Sequence, residues 1–511
     1  MLSILTSAAL LGIDCQEVKV EVHKGSGIKF FIVGLPDNAV KESEKRIHAA
    51  LQNSGFTSPR HGVVINLSPA DIRKEGAGFD LPIALGLLQA TEQIRIPEPH
   101  NLIIIGELGL DGKILPVKGT LSIVHHAKKR GYKGAIIPYD NLPEAMRIKD
   151  FPSYGVRHLT EAIEVLNGSP PATCLEPNNT PQLHSVSNQC FSDVRGQVAL
   201  KRAFEIAACG NHNLLMVGPP GSGKTMLAKR LGTILPPLEE DQIIETAKVY
   251  SLSGQLNGRE RDFQRPFRNP HHTISDVALV GGGSYPLPGE ISLAHNGVLF
   301  LDELLEFKRT VLEVLRQPIE MKEIKISRAR FAVSYPANFQ LIAALNPCPC
   351  GYLNHPTISC TCTKHQINNY LSKLSGPLMD RIDIHLEVSP VPIEDLNLED
   401  GQEETSTTIQ ERVKQVIEFQ KQRWKAGRFT QNADYGVKEL RQHCQLDPPT
   451  SQLLSQWMHK LEFSARTYHK VLLLARTIAD MEFSATIQTH HLAEALQYRS
   501  MDRTKHFENR A

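Results

Sequence analysis

The residues that point most directly to chemistry lie between positions 218 and 225: Gly218, Pro219, Pro220, Gly221, Ser222, Gly223, Lys224 and Thr225. A loop with glycines at 221 and 223 can curl its backbone N–H groups around phosphate oxygens. Lys224 is then placed to reach the β- and γ-phosphates of ATP, and the Thr225 hydroxyl to hold Mg²⁺. A second set ends the apolar run Gly297–Leu301, where Asp302 and Glu303 follow directly. Asp302 suits the Mg²⁺ shell, and Glu303 suits a general base that polarises an attacking water. Asn346 ends a third apolar run, FQLIAALN, and an amide there can orient the water or the γ-phosphate. Asn-Pro is equally an ordinary turn pair.

These groups need a scaffold, and the flanking residues supply its pattern. Leu214–Val217 is an apolar run short enough for a buried strand, and a helix is expected after the loop with its positive end toward the phosphates. Asp302 and Glu303 fall where open parallel sheets place their ligands, at the carboxyl end of a strand. Two arginines complete the set. Arg381 stands just before a predicted strand, and Arg466 at the head of a predicted helix. In a ring, Arg381 could reach a neighbour's γ-phosphate and stabilise transition-state charge, while Arg466 could report nucleotide state to the tail. Local pairing of Arg381 with Asp380 or Asp383 is the competing expectation.

Cys348, Cys350, Cys360 and Cys362 form two C-x-C pairs. Four thiolates satisfy a tetrahedral, structural Zn²⁺, and Gly351 helps the chain turn back. The spacing is tighter than in the usual finger, with His355 and His365 as substitute ligands and free thiols as the alternative.

The bulk numbers leave the class of partner open. The chain has 511 residues, a formal net charge of +1 and nine cysteines. No global field draws it to a polyanion, so any such site is a local patch. No apolar run approaches the roughly 20 residues of a membrane span, and the N-terminal stretch reads as a buried strand rather than a leader. A cytoplasmic protein is expected. Composition shifts divide the chain into residues 1–167, a linker at 168–190, a core at 191–394, a second linker at 395–406 and a helical tail at 407–511. In the first part, strands are expected at 18–23, 29–35, 62–69, 101–108 and 134–138, with helices at 40–55 and 81–91. Four helices are expected in the tail.

These elements, in this order, resemble AAA+ ATPases of the magnesium-chelatase-like clade, and more closely the ComM/YifB family. The matching blocks are FRNPHHTISDVALVGGGSYPLPGEISLAHNGVLFLDEL, LIAALNPCPCGY, LSGPLMDRIDIHLEV and ARTYHKVLLLARTIADME. The resemblance implies an α/β fold: an AAA+ core with a parallel sheet, an N-terminal Lon-protease-like domain and a C-terminal helical lid. It also implies hexameric rings, Arg381 as the finger acting in trans and Arg466 at the second sensor position. The stretches 70–88 and 106–138 carry the likeness to Lon. The nucleophilic serine of Lon is replaced here by Asp80 or Phe79, and no lysine matches after Gly119, so peptidase activity is not expected. A scaffold or nucleic-acid-binding module is expected instead.

Residues 317–339 read as a β-hairpin with Lys325, Arg328 and Arg330 near its turn, and related ring ATPases project a hairpin here into the central pore. Basic residues at its tip suit phosphate contact. Residues 265–290, with Arg265, Arg268, His271 and His272, form a second candidate surface, in which the histidines serve equally well as internal hydrogen-bond partners. The resemblance implies a hexameric DNA helicase driving branch migration in homologous recombination, including natural transformation, on single-stranded or branched DNA. The alternative is a magnesium-chelatase-like ATPase that remodels a protein partner.

Overall fold

The computed structural model describes residues 2–25, 29–58, 61–96, 101–169, 189–256, 264–283, 286–328, 331–390, 403–424, 429–461 and 463–499. Both expected linkers lie largely outside the described residues. The chain forms two compact units: Met1–His184 with Glu239–Phe263 and Ser327–Tyr335, and Ser185–Leu238 with Gln264–Ile326 and Pro336–Ala511. The unit boundaries therefore depart from a simple succession along the chain. Glu240–Ser253, a helix that follows the phosphate-loop helix in sequence, belongs to the first unit.

The first unit is built on a seven-stranded mixed sheet. Its order is Phe30–Val33, Val63–Ser68, Asp14–Lys24, Leu2–Leu11, Leu102–Ile104, Gly134–Pro138 and Ser153–Val156. The N-terminal stretch is a strand, paired antiparallel with Asp14–Lys24 from Leu2↔His23 to Leu11↔Asp14. Its first residues are buried on one face only, Ser3 and Leu5 covered while Leu2 and Ile4 are exposed, whereas Ser7, Ala8 and Ala9 are buried in succession. Helix Asp80–Ala90 is buried throughout and packs on the first two strands, as its run without polar side chains from Leu81 to Leu88 requires. The run at 101–108 is two strands rather than one, Leu102–Ile104 and Glu107–Leu108, interrupted at Ile105–Gly106. Ile105 N–H still donates to Ile136 O, whereas Gly106 N–H turns to Gly78 O.

In the second unit five parallel strands lie in the order Phe267–Arg268, Val298–Leu301, Gln340–Leu345, Leu214–Val217 and Ile384–Glu387. The three central strands are fully buried. That burial explains why they read as continuous apolar runs and not as alternating ones. The strand Leu214–Val217 is flanked by the last two to arrive in sequence, so its carboxyl end sits at a switch in strand order, where such sheets open a crevice. Helices Ser406–Gln422, Pro448–Leu461, Ala465–Met481 and Thr489–Gln497 make up the tail, with a short extra helix at Val437–His443. Val413, Val416, Val471 and Leu474 join one core with Phe204 and Met216. No helix among the described residues is long and apolar enough to cross a membrane.

Candidate nucleotide site

The loop from Gly218 to Gly223 leaves the carboxyl end of its strand and enters helix Lys224–Ile234. Gly221 and Gly223 hold φ of +77° and +82°, a left-handed conformation that a side chain would strain. Lys224 is buried and folds back on the loop, donating to Gly218 O and Pro219 O at 2.7 Å each. Burial lowers its pKa, with Asp302 opposing the shift. The ammonium is thus held by exchangeable carbonyl contacts in the mouth of the loop.

Asp302 and Glu303 follow the neighbouring buried strand. Thr225 Oγ1 donates to Asp302 Oδ2 at 2.7 Å, so the two side chains expected to share a magnesium ion are already in contact. Glu303 takes φ +50°, ψ +49°, a left-handed conformation that costs a non-glycine residue about 1–2 kcal/mol. Its side chain stays 54% exposed. His272 Nδ1 lies 3.4 Å from Glu303 Oε2, and the His272 ring stacks against His271 and meets the edge of Phe307. His272 therefore sits beside Glu303, the second of the two acids. His271 contacts Thr273 Oγ1 at 2.9 Å.

Asn346 follows the strand that runs between those of Lys224 and Asp302. Gly218 N–H donates to Leu345 O, which fixes the start of the phosphate loop beside that strand tip. The structure thus gathers Lys224, Thr225, Asp302, Glu303 and Asn346 at one sheet edge.

Arg381 and Arg466 lie elsewhere. Asp383 and Ile384 N–H groups both donate to Asn213 O, so Arg381 sits at the start of the strand whose far end carries the loop. Four residues of strand, about 13 Å, separate the two edges. Arg381 NH2 pairs with Glu320 Oε1 at 2.6 Å. This ion-pair partner is neither Asp380 nor Asp383, the local ones expected from the sequence. Arg466 approaches Asp380 at 3.8 Å and is 62% exposed. Both arginines line a cleft of about 440 Å³ with Glu320, Asp380 and Lys470. The sequence carries no signal for Glu320, which lies some sixty positions from Arg381.

The four cysteines converge. Cys348 Sγ is 3.4 Å from Cys350 Sγ and 3.7 Å from Cys360 Sγ, and all four sulfurs lie within 4.8 Å of one another. Four thiolates around one zinc would stand about 3.8 Å apart, given Zn–S near 2.3 Å, so the donor set fits. Burial raises the Cys348 thiol to about 12. Burial acts the same way on Cys350, but backbone donors from Tyr352 and Thr361 bring that thiol down to about 6. His355 and His365 make local contacts instead, with Ile358 N–H and Asn369.

Residues Glu323–Arg328 and Phe331–Pro336 pair as a hairpin. Lys325 is exposed and pairs with Glu323 at 2.8 Å. The Arg328 side chain and Arg330 lie outside the described residues. Arg265 donates to Pro236 O and Asn296 O, and Arg268 clamps Glu290 with two bonds of 2.6 and 2.5 Å. Both are engaged internally. In the first unit, Asp80 is buried and held by Arg46 at 2.7 and 3.0 Å. Burial pushes its carboxyl up to about 6 while Arg46 pulls it back. That carboxylate is tied up in an ion pair.

Comparison with known proteins agrees with this arrangement. Residues 190–396 match the family model for magnesium chelatase, subunit ChlI; residues 18–141 match that for subunit ChlI of Mg-chelatase, and residues 403–499 the ChlI C-terminal model. The chain is 43% identical over 509 residues to competence protein ComM of Haemophilus influenzae, covering 98% of each chain. It is 42% identical over 506 residues to YifB of Escherichia coli, again 98% of each. A partial likeness, 33% over 153 residues, links 27% of the chain to 32% of the DNA repair protein RadA of Escherichia coli. With its P-loop sheet, helical tail and end-to-end similarity to these relatives, the chain belongs to the ComM/YifB family of magnesium-chelatase-like AAA+ proteins.

Proposed function

We propose that this protein is an ATP-driven hexameric DNA motor, a helicase or branch-migration factor that works in the cytoplasm in homologous recombination, including natural transformation. The observation that carries the ATPase part is the contact between Thr225 and Asp302 beneath an intact phosphate loop. In this reading Gly218–Thr225 bind the triphosphate, and Lys224 leaves its loop carbonyls for the β- and γ-phosphates. Thr225 and Asp302 hold Mg²⁺, which supplies charge neutralisation on those phosphates when bound. Glu303 takes a proton from the attacking water, and Asn346 orients that water. The exposed, left-handed Glu303 is consistent with strain kept at a reacting position.

Placement of Arg381 at the opposite sheet edge supports its action in trans. About 13 Å of strand separates the edge beside Arg381 from its own chain's loop. In a ring, that edge faces the next subunit's nucleotide, where Arg381 would stabilise transition-state charge and Arg466 would sense the nucleotide. Release of Arg381 from Glu320 would accompany engagement. The four cysteines would hold a structural Zn²⁺.

DNA as the track is supported by the likeness to a competence protein and, over part of the chain, to a DNA repair protein. Lys325, Arg328 and Arg330 would contact its phosphates. The test is ATP turnover by the purified chain with and without forked or four-way DNA. Stimulation by branched DNA is expected, and its absence sinks the DNA motor. The family models also favour a second reading, a magnesium-chelatase-like ATPase that remodels a protein partner. Insertion of Mg²⁺ into a porphyrin on adding the larger chelatase subunits would select it.

A further inference from the structure

The four-cysteine loop touches the phosphate loop directly. Gly351 is buried, takes φ +84° and donates its N–H to Cys348 O at 3.0 Å. A methyl group on its Cα would stand 2.7 Å from Pro220 Cδ and 2.9 Å from Pro220 Cγ. Pro220 is the midpoint of the loop, next to Gly221. The contact continues alongside: Pro347, Leu353 and Asn354 face Gly218 and Pro219 across a cleft of about 360 Å³. Only Pro347 separates this loop from Asn346.

Residues 348–362 contain neither helix nor strand. A segment of that length outside regular secondary structure is held more firmly when it is cross-linked, because the link reduces the backbone entropy that ordering costs. The converging sulfurs provide the cross-link, and metal binding at such sites contributes directly to local folding. The phosphate loop, for its part, needs its N–H groups held ready around the anion.

We propose that the four-cysteine loop, closed by a metal ion on its sulfurs, is a brace that holds the phosphate loop in its nucleotide-binding shape through the Gly351–Pro220 contact. Metal occupancy thereby sets ATP affinity. This rests on the readings of the loop as an ATP site and of the cysteines as metal ligands, and the experiment separates all three.

The full-length chain, purified with zinc present, is assayed for bound zinc by thiol-triggered release and for affinity toward a fluorescent non-hydrolysable ATP analogue. Wild type carries zinc and binds the analogue. The Cys360→Ser/Cys362→Ser chain loses its zinc and binds about tenfold more weakly. Gly351→Ala retains its zinc yet also weakens about tenfold, because a methyl there both strains the φ +84° backbone and presses on Pro220. Stripping zinc from the wild-type chain with a chelator weakens binding to a similar extent, and adding zinc back restores the affinity. Wild-type affinity in Gly351→Ala, or an affinity unchanged when zinc is stripped from the wild-type chain, overturns the brace. If Gly351→Ala sheds its zinc, the cysteine variant decides: undiminished affinity there overturns the proposal, and weakened affinity upholds it. A wild type that binds the analogue without zinc overturns the metal's part, whereas one that carries zinc and ignores the analogue overturns the ATP reading.

Discussion

Thr225 and Asp302 are 77 residues apart in sequence and 2.7 Å apart in the fold, joined by a hydrogen bond from hydroxyl to carboxylate. That bond links the first turn of the phosphate-loop helix to the end of a strand two places away in the sheet. Glu303 is the next residue, and its backbone N–H donates to Asp302 Oδ1 at 3.0 Å. The two acids are therefore divided in role by geometry: one turned inward to Thr225, the other outward beside His272.

Replacing Glu303 by Gln should separate binding from turnover. ATP affinity should remain within about threefold of wild type, while kcat falls by about 10² or more, the usual scale for losing a general base. Steady-state ATPase and analogue binding on the same preparation check this, and undiminished turnover would remove Glu303 from the role.

The proposed action of Arg381 across a subunit boundary makes a mixing prediction. Lys224→Ala should abolish nucleotide binding and Arg381→Ala should abolish turnover, each in a pure assembly. A mixed assembly should regain activity, because an intact loop then meets an intact arginine at some interfaces. An inactive mixture, with subunit exchange verified, would contradict action in trans.

Phosphate binding by the hairpin predicts a salt signature. Arg328→Ala/Arg330→Ala should weaken DNA binding at every sequence tested. It should also reduce the slope of log affinity against log salt by roughly 2, about one for each phosphate no longer neutralised. Fluorescence anisotropy over a salt series measures both. An unchanged slope places the DNA-binding surface elsewhere.

Asp383 offers a test of what joins the tail to the sheet. Burial by itself would raise its carboxyl, but the Lys470 ammonium 2.5 Å away and His212 hold it well below the usual carboxylate range. Because the folded pKa lies below the unfolded one, this stabilisation is full above about pH 4 and is lost as pH falls further. Lys470→Met leaves the carboxylate buried without its ammonium and should cost about 3–5 kcal/mol at pH 7. The loss relative to wild type should shrink in acid. Chemical denaturation at pH 7 and in acid reads both effects, and equal stability at pH 7 would show that the pair contributes nothing.

The nucleotide motifs were legible because they are local. A short apolar run followed at once by glycines, or by two acids, announces a buried strand and its polar tip without reference to any other segment. The same logic located Asn346 and the tail helices. It failed where the periodicity was interrupted, as at Ile105–Gly106, where two short strands replace one, and at Leu2 and Ile4, whose exposure depends on which sheet face is covered.

By itself, the sequence determined which polar groups end which buried strands, since that depends on side-chain type and short-range spacing. Only the tertiary structure decided which groups share an edge. Parallel strand order puts Asp302 beside Thr225 and sends Arg381 to the far end of an adjacent strand, where Glu320 receives it. It also presses Gly351 against Pro220, a contact between segments 131 positions apart. Such pairings follow from how the chain crosses over itself, and no local pattern of residues encodes that path.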